Sequence, residues 1–412
     1  MLKILLSKKP FLVFSFAFLL SQIGAGLTQV AVYGYLSHHE LSEFLFTLTY
    51  ALAVIPAFFA SHLASKLAYR FSLFSLFTST QILGALSVII PIFGLLNENV
   101  YALQAAEFIT AAIMGFNFPL TQTYIRRTFS DSEMIAAAKL DTYLFSVNVI
   151  IGLGIGSVIY NFVGPRLYLL IDAVTYLISA AMIVLSYKMH PEPMLKADIL
   201  SGEESSSFFS NLLALRHLKD SERSIFMMLP ALSILGAPIM SLLPAIGMKF
   251  GSEYDIGWGI LITPSLILIF ARSIGQFLGP MVVRQAWFEK SSKKLSLIFF
   301  CMAIYALFYA LVELASNFFI AITLVIVAHI FSNIVYVIGM YLFQISFDES
   351  RILKYSSLQY QLQLVFMSIF PLIAGAIVVY TGFTLLVMIF YILAIAMILL
   401  PSFQVKAATS AL

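Results

Sequence analysis

Between Lys354 and Lys406 the chain passes through 51 residues, Tyr355 to Val405, without one Asp, Glu, Lys or Arg. About 20 apolar residues carry a helix across a bilayer core, so this run holds more than one crossing. Thr381-Gly382 supplies a break that divides it into two helices and a tight turn. Pro10 to Leu36, Phe71 to Leu96 and Ser224 to Met248 are also free of charge. A water-soluble globule cannot hide this much apolar surface: 61% of the 412 residues are hydrophobic and only 10% are charged. A soluble enzyme and a disordered chain are therefore excluded. The single cysteine, Cys301, excludes a disulfide scaffold. The net charge of +3 gives no reason to expect nucleic acid. The class that remains is an all-α polytopic membrane protein.

The same reasoning along the whole chain predicts twelve transmembrane helices, at 10–36, 41–65, 71–96, 100–125, 134–160, 167–187, 224–248, 257–282, 295–314, 318–346, 358–380 and 383–401. With the N-terminus in the cytoplasm, 19 of the 23 Lys and Arg residues fall on inner segments. Only Arg166 and Lys249 fall on outer loops, and Lys139 and Arg272 lie inside spans. The asymmetry places both termini inside. The first apolar segment is too long for a signal peptide's core and is expected to be the first span. No N-x-[ST] sequon occurs, which favours a bacterial cytoplasmic (inner) membrane.

Residues 189–223 form the one extended polar stretch. His190 to Ser207 is expected to be a mobile linker. Phe208 to Lys219 places apolar residues at helical spacing opposite Asn211, Arg216 and Lys219, which predicts a short amphipathic helix on the inner membrane face. Six spans precede this connection and six follow it. The expected domains are a six-helix bundle at 1–188, a cytoplasmic linker at 189–223 and a second six-helix bundle at 224–412. Such a plan suggests a site between two bundles near the midplane. Ser130-x-x-Glu133 fits a capping box before the fifth span. Pro56, Pro91, Pro119, Pro264 and Pro371 are expected to kink their spans.

A charge at the bilayer centre costs about 2.5–3.5 kcal/mol on insertion scales, so interior charges mark candidate sites. Glu107 lies about two turns into the fourth span: either a protonatable acid that releases H⁺ as substrate binds, or a structural partner for another polar group. Asp172 has Tyr176 at i+4, within local hydrogen-bonding reach. Lys139 and Asp141 are two apart and point away from each other. Lys139 is expected to snorkel, while Asp141 has the reading of an inner-gate acid paired with a base on a facing helix. Arg272 is too deep to snorkel and calls for an anion: an acid such as Glu107 or Asp141, or an anionic substrate. His329, with Asn333 at i+4, is central in the tenth span. Gln22 and Gln29 share a face of the first span with Gly26. With Asn117 and Asn148 they outline a polar seam that is a candidate cavity lining. No Walker-type G-x-x-x-x-G-K-[ST] and no paired Cys/His spacing occurs, so neither ATP nor a metal or other cofactor is expected. His38-His39 is expected on an outer loop.

Several stretches carry a family likeness. They are Pro119 to Asp141 with Ala138-Lys139-Leu140-Asp141; Gly152-Leu153-Gly154-Ile155-Gly156, Gly164-Pro165-Arg166 and Ile171 to Leu177; Leu215 to Asp220; and Arg272-Ser273-Ile274-Gly275 followed by Gly279-Pro280. In these the chain resembles the major facilitator superfamily, and within it the macrolide-efflux and enterobactin-exporter branch. The resemblance implies a secondary transporter, not an enzyme, working by alternating access. It implies proton-coupled, antiporter-type efflux of an amphipathic organic molecule: a drug, macrolide or siderophore. Uptake of a nutrient, metabolite or ferric-siderophore by the same fold is the alternative, and a transport-inactive receptor or membrane enzyme a remote one. The partners expected are a small-molecule substrate, protons and the lipid bilayer, with the chain acting as a monomer. The resemblance also implies a structural role for Asp172, a hinge or sealing contact at the fifth-span glycines, and an inner gate at Lys66 and Arg70. There the superfamily's G-x-x-x-D-R-x-G-R loop is replaced by Ser61 to Arg70, with Ser65 where the acid usually stands.

Overall fold

The computed structural model describes residues 7–39, 52–156, 163–196, 208–251, 264–284 and 294–409, together with residues 4, 49, 159, 254–255 and 261–262. The apolar runs become helices because in a bilayer every backbone polar group must be satisfied within its own segment. Helix α1 is Lys9–His38 and α2 is Ile55–Leu67; α3 (Leu73–Ser87) continues into α4 (Ile89–Leu96). Then come α5 (Val100–Thr128), α6 (Met134–Asn148) with a π-helical extension at Val149–Ile155, and α7 (Pro165–Met189). The short α8 (Phe208–Ala214) precedes α9 (Asp220–Met248), α10 (Pro264–Val282), α11 (Lys294–Leu314), α12 (Phe318–Ser346), α13 (Glu349–Thr381) and α14 (Phe383–Thr409). A two-residue ribbon, β1 (Tyr254–Asp255) with β2 (Leu261–Ile262), precedes α10.

Eight helical segments among the described residues are long and apolar enough to cross a membrane. Helix α5 has the length as well, but its Gln104, Glu107, Asn117 and Gln122 lower its apolarity, and all four are buried. Large apolar side chains cover the outside instead: Phe59, Ile89, Leu372 and Ile392 are all more than 60% exposed. That surface suits lipid rather than water.

The breaks follow backbone chemistry. The expected division of the 51-residue uncharged run is where α13 gives way to α14, and Gly382 turns the chain with φ +71°. The α3–α4 break at Val88 lies one residue past Ser87, whose carbonyl has no N–H to accept from Pro91 and meets the proline ring. Two of the expected proline kinks are instead helix starts. Pro56 sits in the first turn of α2 and Pro264 opens α10, where a missing N–H costs nothing. The eighth span therefore begins at 264 rather than 257, after the β1–β2 ribbon.

Two compact units emerge. One comprises 1–137, 147–213 and 347–364; the other comprises 138–146, 214–346 and 365–412. In the first, α1 packs along α7 and α2 along α5, over an aromatic core of Phe11, Phe14, Phe77, Tyr124 and Phe129. The first half of α13 belongs here: Ser357 Oγ donates to the Ser61 carbonyl (2.9 Å), Gln361 Nε2 to the Phe58 carbonyl (3.2 Å), and Tyr360 stacks on Phe118. Residues 190–196, expected to be mobile, are pinned by the Arg127 guanidinium, which donates to the Leu195 and Lys196 carbonyls at 2.8 and 3.2 Å. The rest of the expected linker, 197–207, lies outside the described residues. The amphipathic helix expected over Phe208 to Lys219 is shorter: α8 ends at Ala214, a 3₁₀ turn follows at Leu215–His217 and Lys219 caps α9, with Phe209 and Leu213 of α8 exposed.

In the second unit, α10 packs on α12 and α9 on α14. Glu313, at the end of α11, accepts from the Phe383 and Thr384 backbone N–H groups at 3.2 and 2.8 Å, satisfying two orphan donors at the start of α14.

Candidate functional site

Among the described residues, each unit holds a buried polar cluster with charge in it. In the first unit it forms where α1, α5 and α7 meet. Gly24 on α1 makes this possible: a Cβ there would fall 2.1 Å from Thr175 Oγ1 and 2.5 Å from Asp172 Oδ1. With only hydrogen at Gly24, α1 approaches α7 closely and Thr28 donates its hydroxyl to Asp172 Oδ2 at 2.6 Å. Glu107 of α5 is 3% exposed, Asp172 is 2% exposed, and the two acids are near enough to interact electrostatically. Tyr176 feels both carboxyls and bonds to Thr110. Glu107 Oε1 and Asp172 Oδ1 have no hydrogen-bond partner. Among the described residues no Lys, Arg or His pairs with either acid. Thr28, Thr110, Asp172 and Tyr176 line a cavity of about 10 Å³, room for roughly one water.

The expected local bond between Asp172 and Tyr176 is therefore replaced. Asp172 turns to Thr28 and Tyr176 to Thr110, because the α1–α7 approach brings a hydroxyl closer than the residue one turn along.

In the second unit, Gly275 and Gly279 of α10 lie against α12. A Cβ at Gly275 would fall 2.3 Å from the Ile326 carbonyl oxygen, and one at Gly279 2.7 Å from Asn333 Cβ. One turn before Gly275, Arg272 is half-buried beside Tyr305 and Tyr309 of α11 and His329 of α12. Its Nη1 faces Met240 Sδ of α9 at 3.4 Å, and its Nε is buried without a partner. Tyr305, Tyr309 and His329 pack edge to face, with centroids 5.2–5.5 Å apart. Tyr309 Oη shares a hydrogen bond with His329 Nε2, and Ser332 and Asn333 bond around the same histidine. The acid expected as one possible partner of Arg272 is not there: among the described residues no carboxylate pairs with it.

Asp141 bonds to the Tyr336 hydroxyl at 3.4 Å, a neutral partner in place of the expected base. Lys139 donates to the Val283 carbonyl just past the end of α10, so its charge meets a helix C-terminus rather than snorkelling free. Asn117 accepts from Thr80 at 3.0 Å. Gln22 and Gln29 are half-buried on α1, and the Asn148 side chain lies outside the described ones. Lys66 and Arg70 are exposed with no ion-pair partner among the described residues, and Ser65 bonds only within its own helix. One ion pair at that end of the first unit is Arg127 Nε with Glu349 Oε1, at 2.7 Å. Arg127 escaped the sequence reading because Arg126-Arg127 looks like an ordinary inner-face doublet. Tyr305 and Tyr309, four apart on α11, escaped among 20 tyrosines. At the start of α6, Glu133 reaches back to the Ser130 N–H (3.1 Å) as a capping box requires. The Ser130 hydroxyl, however, donates to that same carboxylate instead of accepting from a backbone N–H.

Membrane-spanning helices with buried charge inside them define a polytopic membrane protein with candidate sites among its helices. Residues 14–281 match the Major Facilitator Superfamily, and the chain belongs to that family. It is a transporter rather than an enzyme, and its all-α architecture is the superfamily's twelve-helix fold. It is 26% identical over 169 residues to an uncharacterized MFS-type transporter, YkuC, of Bacillus subtilis (strain 168). That stretch covers 41% of this chain, which spans about two fifths (39%) of the relative's length. Among solved structures it resembles the transporter FucP in its outward conformation, with a TM-score of 0.69 and 15% identity over 95% of this chain and 97% of that one. It also resembles a bacterial homologue of the iron transporter ferroportin (TM-score 0.65, 12% identity, 97% of this chain and 98% of that one). The human organic anion transporter MFSD10 is similar too (TM-score 0.68, 12% identity, 96% of this chain and 98% of that one).

Proposed function

We propose that this transporter is a proton-coupled exporter of amphipathic organic molecules, of the macrolide-efflux and enterobactin-exporter branch. It works as a monomeric antiporter by alternating access in a bacterial inner membrane, with both termini in the cytoplasm. The observation that carries the proton coupling is the Glu107–Asp172 pair. Two carboxyls share one buried site, each has an unpartnered oxygen, and no described cation neutralises them. Such a pair takes up and gives up protons as a unit. The Thr28 hydroxyl orients Asp172, and Tyr176 lies beside both acids. Asp141, bound to a phenol and to no cation among the described residues, is the secondary candidate. Gln22, Gln29, Asn117, Asn148, His329 and Asn333 remain proposed cavity-lining residues, and Lys66 and Arg70 proposed inner-gate residues.

Two measurements test this. A deletion strain should accumulate more labelled macrolide or siderophore than its parent; lower accumulation in the deletion overturns export in favour of uptake. In proteoliposomes carrying the purified protein, an imposed pH gradient should drive flux of the same label. Glu107→Gln and Asp172→Asn should each abolish the gradient's effect while the protein still inserts. Gradient-driven flux that survives in both variants overturns the coupling assignment.

A further inference from the structure

We propose that Arg272, with Tyr305 and Tyr309, forms a subsite for the negatively charged group of an organic anion, which makes the transported class anionic. This rests on the transporter reading for its cargo, but the site itself stands on its own geometry. A guanidinium stays charged in a protein, and inside a membrane span that charge requires a counter-charge or a ligand. Arg272 has no carboxylate partner among the described residues. Its one hydrogen-bond acceptor among the described residues is a thioether sulfur, a weak one, and its Nε is buried and unmet. Lys139, the other basic side chain within a span, is satisfied by a helix-end carbonyl. Among the described residues, the span cation without an oxygen acceptor is therefore a particular of Arg272.

The placement is built. Gly275 and Gly279 hold α10 against α12, which sets Arg272 beside His329. Tyr305 and Tyr309, one turn apart on α11 and packed edge to face, lie near enough to the same guanidinium to interact with it electrostatically. A planar fork of donors matches a carboxylate in two-point fashion. The phenols add hydroxyl groups, and the rings with Met240 add apolar surface for the body of the ligand. A bare inorganic ion uses the fork and leaves that apolar surface unused, so the arrangement favours an anionic group attached to an apolar or aromatic frame.

Benzoate is the smallest probe with both features. The purified full chain, in detergent at neutral pH without any gradient, is titrated with carbon-14-labelled benzoate. Saturable binding is expected, unaffected by excess benzamide and only weakly opposed by chloride. Arg272→Gln should weaken it by about tenfold or more. Arg272→Lys keeps the charge but loses the fork, should bind less tightly than wild type, and covers failure of the Gln variant to fold. Tyr309→Phe should weaken benzoate by a few-fold. No saturable benzoate binding up to about 10 mM overturns the proposal, as does wild-type affinity in the Arg272 variants. Competition by benzamide equal to benzoate overturns the anionic assignment, and chloride binding without benzoate binding overturns the organic one. Because no pH gradient is present, failure of proton coupling leaves this result unchanged, and failure here leaves proton coupling standing.

Discussion

The two buried clusters are built alike and charged oppositely. In the first unit a glycine on α1 admits Asp172 and Thr175 of α7, and the result is two acids without a cation among the described residues. In the second, glycines on α10 admit α12, and the result is one cation without an acid among the described residues. Both sets of helices would pack more simply with apolar residues at these positions, since a buried polar group stabilises only when its partners are present. Neither cluster is fully satisfied within its own unit. Glu107 Oε1, Asp172 Oδ1 and Arg272 Nε all lack partners among the described residues, and the proposed occupants are a proton for the acids and an anion for the guanidinium. A structural polar network is closed; these two are open.

The comparison breaks if the acids prove merely structural. Replacing both, Glu107→Gln with Asp172→Asn, is expected to have the largest effect: loss of nearly all pH-driven flux with little change in thermal unfolding. An isosteric amide pair can satisfy the same cavity, so a large stability loss with retained coupling would show that the cluster is a structural brace.

The glycines come next. Gly24→Ala drives a methyl into Thr175 and Asp172, and Gly275→Ala drives one into the Ile326 backbone carbonyl. Each should cost about 1–3 kcal/mol in thermal unfolding. Gly275→Ala should be the worse, because the atom it meets is backbone and cannot rotate aside. Gly24→Ala should also disturb proton coupling by displacing the Asp172 carboxyl. Equal stability of both variants and wild type would remove close helix approach as the cause of either cluster.

Thr28→Val is a finer probe. It keeps the side-chain shape and removes the one hydrogen bond that Asp172 receives from another helix, a loss of about 1–3 kcal/mol. The pH dependence of transport should shift while maximal flux changes less. An unchanged pH profile would detach Thr28 from the site.

Sequence patterning carried the helices, the turn at Gly382, the amphipathic α8 and the short roster of buried charges. Each of these depends on local chemistry: apolar length, a residue that tolerates positive φ, or a charge that has no place in lipid. Pairing did not carry over. Charge complementarity in the sequence offers Glu107 to Arg272, yet its neighbour is Asp172, on α7 rather than α10. Which helices touch is decided by small residues such as Gly24, and their effect is expressed only in three dimensions. The proline reading failed for a related reason. Pro56 and Pro264 lie in apolar runs, and composition alone does not distinguish a kink within a helix from its first turn. Arg127 carries no sign in sequence that it reaches both Glu349 and the chain after α7.

A partnered acid gives the smallest effect and the sharpest control. Glu133 lies outside the spans and has what the buried pair lacks: the Ser130 N–H and hydroxyl, and Lys8 at 3.5 Å. Donation by the Ser130 backbone N–H, aided by its hydroxyl and by Lys8, holds the Glu133 carboxyl below its ordinary value of 4.5. A depressed folded-state value means that the ionised side chain stabilises the fold above the ordinary value, and that this is lost as pH falls through the folded one. Glu133→Gln should thus lower thermal stability at neutral pH by about 0–1 kcal/mol, since the pair is partly exposed. Below the folded-state value the variant and wild type should unfold together. A difference that persisted in acid would assign the effect to helix capping by shape alone, and Glu133 would no longer serve as the closed counterpart to the open acids of α5 and α7.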